Sequence, residues 1–223
     1  MTCGEGEHRE VLLVEDHPVV CKGIRVVVEE QDDMSVCSTA SSADDALSKV
    51  ELNAPDVAVI DLVLPDRNGL DLIRDIVEHY PDVAILVVSA HSEALYAERS
   101  LRAGALGFIH KREAMADIIK GIRAVLEGEI YISDRISSQM IRRQVGADGA
   151  DVASPPEELS DRELEVFELI GRGHSSEQIA DKLQISSKTV ESYRARIKDK
   201  LNLCDARELL QYAIQWLLSE AQT

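Results

Sequence analysis

Five polar side chains stand out because each directly follows a short apolar run. Glu15 and Asp16 follow Val11-Leu12-Leu13-Val14, and Asp61 follows Val57-Ala58-Val59-Ile60. Ser89 follows Ile85-Leu86-Val87-Val88, and Lys111 follows Gly107-Phe108-Ile109-His110. Three carboxylates brought to one place offer hard oxygen ligands of the kind Mg2+ takes in a half-open site, where it keeps waters and bridges to a phosphate. A carboxylate there can also act as a nucleophile that accepts a phosphoryl group. Lys111 would neutralise phosphoryl oxygens and Ser89 would donate a hydrogen bond to them. One such residue alone would be an ordinary strand-end polar group. All five at strand ends favour the chemical reading.

The elements that must position them alternate. Apolar runs at 11–14, 36–40, 57–60, 85–88 and 107–110 read as strands. Helical patterns at 18–28, 42–53, 70–80, 95–103 and 115–126 separate and follow them. Strands apolar throughout imply burial on both faces, hence a parallel sheet covered by helices. The expected fold is α/β, a five-stranded parallel doubly wound domain over residues 1–130, with its site at the carboxyl ends of the strands. Residues 131–157 are expected as a linker. Ala147-Asp148-Gly149-Ala150-Asp151 and Ser154-Pro155-Pro156 carry that reading, with a short helix allowed between 132 and 145.

Residues 158–223 read as all helical. Ser160 with Glu163 forms a capping box, and Ser175 or Ser176, Ser186 or Ser187, and Asp205 begin three more helices. The helix expected over 187–201 carries Lys188, Arg194, Arg196, Lys198 and Lys200 against Glu191 and Asp199. Val190, Ile197 and Leu201 fall on one stripe and should face a core, while Lys188, Glu191, Ser192, Ala195, Arg196 and Asp199 face away. Short side chains at the centre with basic ones around them suit a helix in a major groove. By charge alone, a solvated surface helix fits as well.

The chain has 223 residues, 45% hydrophobic, with 24 basic and 41 acidic side chains and a formal net charge of −17. That balance argues against non-specific coating of nucleic acid. Residues 1–156 carry −13 and residues 157–223 carry −4. Basic charge is concentrated on one helix. No apolar run approaches the roughly 20 residues that span a bilayer, and residues 1–10 lack a hydrophobic signal core, so a cytoplasmic protein without a membrane partner is expected. Cys3, Cys21, Cys37 and Cys204 form no CxxC pair, which argues against a zinc or dithiol site.

Glu15-Asp16, Asp61 followed by Pro65 and Gly69, Ser89-Ala90 and Lys111 resemble the receiver domain of a bacterial two-component response regulator, over about 9–128. The resemblance implies Asp61 as phosphoacceptor, and Mg2+ held by Glu15, Asp16, Asp61 and the Val63 backbone carbonyl. It implies Ser89 and Lys111 on the phosphoryl group and Phe108 as the switch aromatic that swings inward. Arg112 stands where many receivers have proline. Val63 and His91 flank the path of the hydrolytic water, and Val63 cannot position it, which predicts self-dephosphorylation over minutes to hours.

Leu159-Ser160-Asp161-Arg162-Glu163, Gly173, Ile179-Ala180, Ile185-Ser186, Lys188-Thr189-Val190 and Lys200-Leu201 resemble the LuxR-type helix-turn-helix domain, over about 158–218. Together the two halves resemble the NarL/FixJ class. That implies a sensor histidine kinase and double-stranded promoter DNA as partners, with homodimer formation on phosphorylation and a closed or monomeric chain without it. Lys188, Thr189, Glu191, Ser192, Ala195 and Arg196 would lie nearest the DNA, with Lys198 and Lys200 beside them. Leu209, Ala213, Trp216 and Leu217 would form a dimer contact, or else close the domain core. A phospho-regulated protein-binding adaptor is the alternative. A metabolic enzyme is not expected, since Val63 stands where haloacid dehalogenase-type phosphatases need a second Asp.

Overall fold

A computed structural model describes residues 8–90, 93–144 and 158–222. The chain divides into two compact units, Met1–Ile141 and Arg142–Thr223.

In the first unit five strands form one parallel sheet in the order β2-β1-β3-β4-β5. They are β1 (Arg9–Val14), β2 (Met34–Ala40), β3 (Val57–Ile60), β4 (Ala84–Ser89) and β5 (Gly107–His110). The helices α1 (Pro18–Glu29), α2 (Ala43–Leu52), α3 (Gly69–His79), α4 (Glu93–Ala103) and α5 (Ala114–Leu126) alternate with them. The central strand β3 is buried at every residue, as its unbroken apolar run requires. One core layer joins Val11, Leu13, Val57, Val59, Leu86 and Ile109 of the sheet to Ile24 and Val28 of α1 and Ile118 and Ile122 of α5. Local signals set the helix starts. Pro18 opens α1, Ser42 accepts from the Asp45 amide to cap α2, and Asn68 accepts from the Leu70 amide to cap α3.

Gly69 begins α3 against the end of β3. A Cβ there would lie 2.6 Å from both the Asp61 carbonyl oxygen and the Leu62 Cα, with only backbone in the way. Gly69→Ala should therefore push the loop after β3 away from the strand. We expect a loss of about 2–3 kcal/mol of stability of the first unit, measured by urea unfolding. Phosphoryl uptake should fall at least about tenfold in the same variant, since the loop moved is the one that follows Asp61.

Residues 131–144, the first part of the expected linker, contain the short helix allowed there. Tyr131 makes a parallel bridge to Gly107, Ile136 is buried, and α6 (Asp134–Gln144) follows. The division between the two units falls after Ile141, within the segment 131–157 expected to join them. The linker composition lies at 147–156, and residues 145–157 are outside the described residues.

The second unit contains α7 (Asp161–Gly171), α8 (Ser176–Lys182), α9 (Ser187–Lys200) and α10 (Ala206–Gln222). The expected capping box of Ser160 with Glu163 forms, and Ser175 with Gln178 makes a second at the start of α8. Phe167 of α7 packs in tilted contact on Tyr212 and Trp216 of α10, with ring centroids 5.9 and 5.7 Å apart. This packing corrects the expected dimer residues. Leu209 and Ala213 are 0% exposed and Trp216 1%, so they close the core of their own domain. Leu217, half-buried, packs toward Gly171, where its Cδ1 would meet an added Cβ at 2.7 Å. Leu210, Ile214 and Leu218 are the apolar residues of α10 that face outward.

Candidate functional site

The sheet order brings the sequence-chosen residues of the first unit together. β1 and β3 are neighbours, and β3, β4 and β5 follow in turn, so Glu15, Asp16, Asp61, Ser89 and Lys111 share one end of the sheet. The Asp61 amide donates to the Val14 carbonyl at 2.9 Å, and the Lys111 amide donates to the Ser89 carbonyl at 2.8 Å. Lys111 Nζ lies 2.7 Å from Asp61 Oδ2 and 2.7 Å from Glu15 Oε2. Ser89 and Asp61 are buried, at 0% and 3% exposure.

Burial pushes the Asp61 carboxyl above the usual carboxylate range, against the opposing pull of the Lys111 ammonium, while the Glu15 charge pushes the same way as burial. Burial works to lower the Lys111 pKa, but the Asp61 and Glu15 carboxylates outweigh it and hold the ammonium charged. Asp61 Oδ1 is buried without a hydrogen-bond partner. It belongs to a group, with Glu15, Asp16 and His17, whose ligand atoms all lie within 4.8 Å of one another. An oxygen-rich cluster with an unsatisfied carboxylate oxygen fits a hard divalent cation such as Mg2+.

His17 is a residue that sequence reasoning missed. Its Nδ1 lies 3.0 Å from Glu15 Oε1 and 2.6 Å from Asp16 Oδ1, so its ring sits close to both carboxylates that follow β1. The only signal for it in the sequence is adjacency. Val63 lies in the loop after β3, in an isolated bridge with Asn68. His91 lies outside the described residues. Phe108 is buried, at 1% exposure. No cis peptide bond occurs among the described residues, the Lys111-Arg112 bond included.

In the second unit α9 presents Lys188, Glu191, Ser192, Ala195 and Arg196 to solvent and buries Val190 and Ile197. Thr189 is half-buried, its hydroxyl 2.7 Å from Ser186 Oγ, and its amide donates to that same oxygen in the N-cap. Lys198 is half-buried. Arg196 stacks over the Tyr193 ring at 5.9 Å. Arg194 Nε lies 3.9 Å from Glu191, whose carboxylate also accepts from the Ser176 hydroxyl.

Lys200, expected beside the DNA, also makes an ion pair within its own domain. Its ammonium is 2.7 Å from the buried Glu163 carboxylate and donates to the Glu158 carbonyl at 3.0 Å, tying α9 to the start of α7. Burial works to raise the Glu163 pKa, but Lys200 and the Ser160 amide and hydroxyl together hold it below the ordinary range. A depressed carboxyl contributes stability that is present above its unfolded pKa and lost as pH falls through the folded value. Lys200→Met should cost the second unit about 1–3 kcal/mol at pH 7, and the deficit should shrink as the pH is lowered below about 4. Urea unfolding of wild type and variant from neutral to acid pH measures it.

Comparison with known proteins agrees with both halves. Residues 11–123 match the response regulator receiver domain family, and residues 157–213 match the family of bacterial regulatory proteins of the luxR type. The chain is 36% identical over 210 residues to the oxygen regulatory protein NreC of Staphylococcus carnosus, covering 92% of this chain and 97% of the relative. It is also 36% identical over 213 residues to the response regulator UvrY of Escherichia coli, covering 96% and 97%. Among solved structures, RcsB from Salmonella enterica serovar Typhimurium, bound to promoter rprA in the presence of phosphomimetic BeF3-, aligns with a TM-score of 0.63 and 26% identity over 93% of this chain and 98% of that one. The chain therefore belongs to the response regulators that join a receiver domain to a LuxR-type helix-turn-helix DNA-binding domain.

Proposed function

We propose that Asp61 is the phosphoacceptor and that its phosphorylation by a sensor histidine kinase switches promoter binding through the second domain. The observation that carries this is the Asp61 carboxylate: buried, bridged by Lys111 to Glu15 through two 2.7 Å contacts, with Oδ1 left over in an oxygen-rich cluster. An Asp61 oxygen attacks the phosphorus of a phosphohistidine, the P–N bond breaks, and the imidazole leaves with its electron pair. Glu15, Asp16, Asp61 and the Val63 carbonyl would hold Mg2+, which supplies charge neutralisation of the phosphoryl oxygens. Lys111 remains charged and moves from carboxylate to phosphoryl oxygen, and Ser89 donates its hydroxyl. The exchange places about two negative charges and three acceptor oxygens where one carboxylate stood. Promoter binding by RcsB with a phosphomimetic present supports the coupling. The protein acts in the cytoplasm and works as a homodimer, for which the outward stripe Leu210, Ile214 and Leu218 of α10 offers the apolar contact in place of the buried residues first expected.

Size-exclusion chromatography and operator binding, with and without acetyl phosphate, test the switch. A larger species and tighter binding are expected with the donor, and no change in either would sink it. A protein-binding adaptor would show no salt-dependent DNA affinity at all. On DNA, Lys188→Ala should reduce the slope of log K against log salt by about 1, whereas Lys200→Met should leave that slope unchanged. Titration of DNA binding at several salt concentrations separates the two lysines.

A further inference from the structure

The strand β5 carries Phe108 and leads into Lys111, and its outer edge is not open. The chain leaves α5 at Leu126, turns through Gly128 at φ +78°, and returns so that Tyr131 adds to that edge. The Tyr131 amide donates to the Leu106 carbonyl at 2.9 Å, and the Phe108 amide donates to the Tyr131 carbonyl at 2.8 Å. These two bonds are the full pairing of a parallel bridge. The approach depends on glycine: a Cβ on Gly107 would lie 3.0 Å from the Tyr131 carbonyl oxygen, and one on Gly121 would lie 3.3 Å from the Tyr131 ring. Just beyond, Ile136 of α6 is buried, which pins the segment a second time. Phe108, Glu113, Tyr131 and Ser133 line a cavity of about 270 Å³ between strand and segment.

We infer that Tyr131, through its backbone pairing with β5, is the mechanical link by which events at Asp61 reach the segment leading to the DNA-binding domain. The inference deepens the switch proposed above and rests on it. Lys111 Nζ is held at 2.7 Å by both Asp61 and Glu15, so a phosphoryl group on Asp61 must draw the lysine away from at least one of them. Lys111 follows directly on β5, and its own amide is fixed to Ser89. Rearrangement there is carried along the short strand to Phe108, whose ring is buried and whose amide donates to the Tyr131 carbonyl. A stiff paired strand passes such a displacement on to its hydrogen-bonded neighbour. Tyr131 thus acts as a positioning residue through its main chain, not through its phenol.

Two measurements on the full-length protein decide it. The first is residue-resolved amide exchange on the wild type, with and without beryllium fluoride and Mg2+. The Phe108 and Tyr131 amides should change rate together, by at least about tenfold. A responsive Lys111 amide with Phe108 and Tyr131 unchanged within twofold overturns the inference alone. A silent Lys111 overturns the phosphorylation reading, and the inference with it. The second compares Tyr131→Pro, which removes the donor to Leu106, with Tyr131→Ala, which keeps it. With acetyl phosphate, Tyr131→Pro should take up phosphate within about twofold of the wild-type rate. Its phosphorylation-dependent gain in DNA affinity should drop below twofold, from a wild-type gain in the range of about 5–150-fold. Tyr131→Ala should retain that gain. A Tyr131→Pro protein that keeps the full gain refutes the link, and if this variant fails to fold, the exchange experiment on the wild type decides alone.

Discussion

Asp61→Asn should abolish phosphoryl uptake from acetyl phosphate or a kinase and, at the same time, make the receiver domain more stable. The first effect follows from chemistry: a carboxamide oxygen is not a nucleophile that can form an acyl phosphate, and no other described carboxylate pairs with Lys111 except Glu15. The second follows from the direction of the Asp61 pKa. Burial holds it above the ordinary value, so between the unfolded and folded pKa the folded state binds more protons than the unfolded one. Folding stability then falls as pH rises through that window, and above it the charged Asp61 is a net burden on the fold. A neutral isostere removes that burden while keeping an oxygen for Lys111 to donate to. The expected gain is about 1 kcal/mol at pH 7, shrinking toward zero as the pH drops through the carboxylate range. Mg2+ should stabilise the wild type in proportion to RT ln(1 + [Mg2+]/Kd) and the variant less. Urea unfolding at acid and neutral pH, with and without excess chelator, reads all of this. A destabilised variant at pH 7 would show that the Lys111 contacts outweigh burial.

Much of this arrangement is legible in the sequence, for a specific reason. A parallel sheet buried on both faces writes its strands as unbroken apolar runs, and the polar residue that ends each run is then visible by contrast. Asp61 after Val57–Ile60 is the clearest case. What the sequence does not show depends on distance through space. His17 reaches two carboxylates because of the turn between β1 and α1, and no spacing rule marks it. Lys200 resembles the other lysines of α9, and only the burial of Glu163 distinguishes it. Leu209, Ala213 and Trp216 fall on one helical stripe, and a stripe alone does not say whether it meets its own domain or a second copy. Phe167 and Gly171 of α7 settle that by filling the space opposite. Tyr131 is masked by the composition that follows it. A single residue pairing with a strand edge has no period to detect, and its supporting glycines, Gly107 and Gly121, lie ten and more residues away in the chain.

Lys111→Met should be the most damaging single change in the receiver site, and its damage should shrink as the pH falls, the same sense as expected for Lys200→Met in the second domain. Methionine fills much of the same volume, so the apolar stem of the side chain is replaced and packing is largely conserved. What disappears is the one cation that lies 2.7 Å from both Asp61 and Glu15. Two buried carboxyls then face each other, and removing one partner of such a pair typically costs about 3–5 kcal/mol. Lys111 keeps some exposure, so a loss of about 2–4 kcal/mol at pH 7 is expected. The cost is set by ionisation. With its main opposing influence gone, Asp61 titrates still higher, the folded variant takes up protons more readily than the unfolded chain, and stability recovers as pH falls. The wild type behaves differently, because the raised Lys111 pKa contributes stability that is complete at neutral pH and is lost only as pH climbs through that raised value. Unfolding midpoints of the two proteins should therefore converge toward about pH 4–5 and diverge toward about pH 8. Mg2+ should narrow the gap at neutral pH if, as proposed, Glu15, Asp16 and Asp61 hold it, since it would replace the missing charge. Phosphoryl uptake should not be rescued with it, because the ammonium that follows the charge from carboxylate to phosphoryl oxygen is gone. A variant whose stability gap stays constant across that pH range would show that Lys111 contributes by packing and not by its charge.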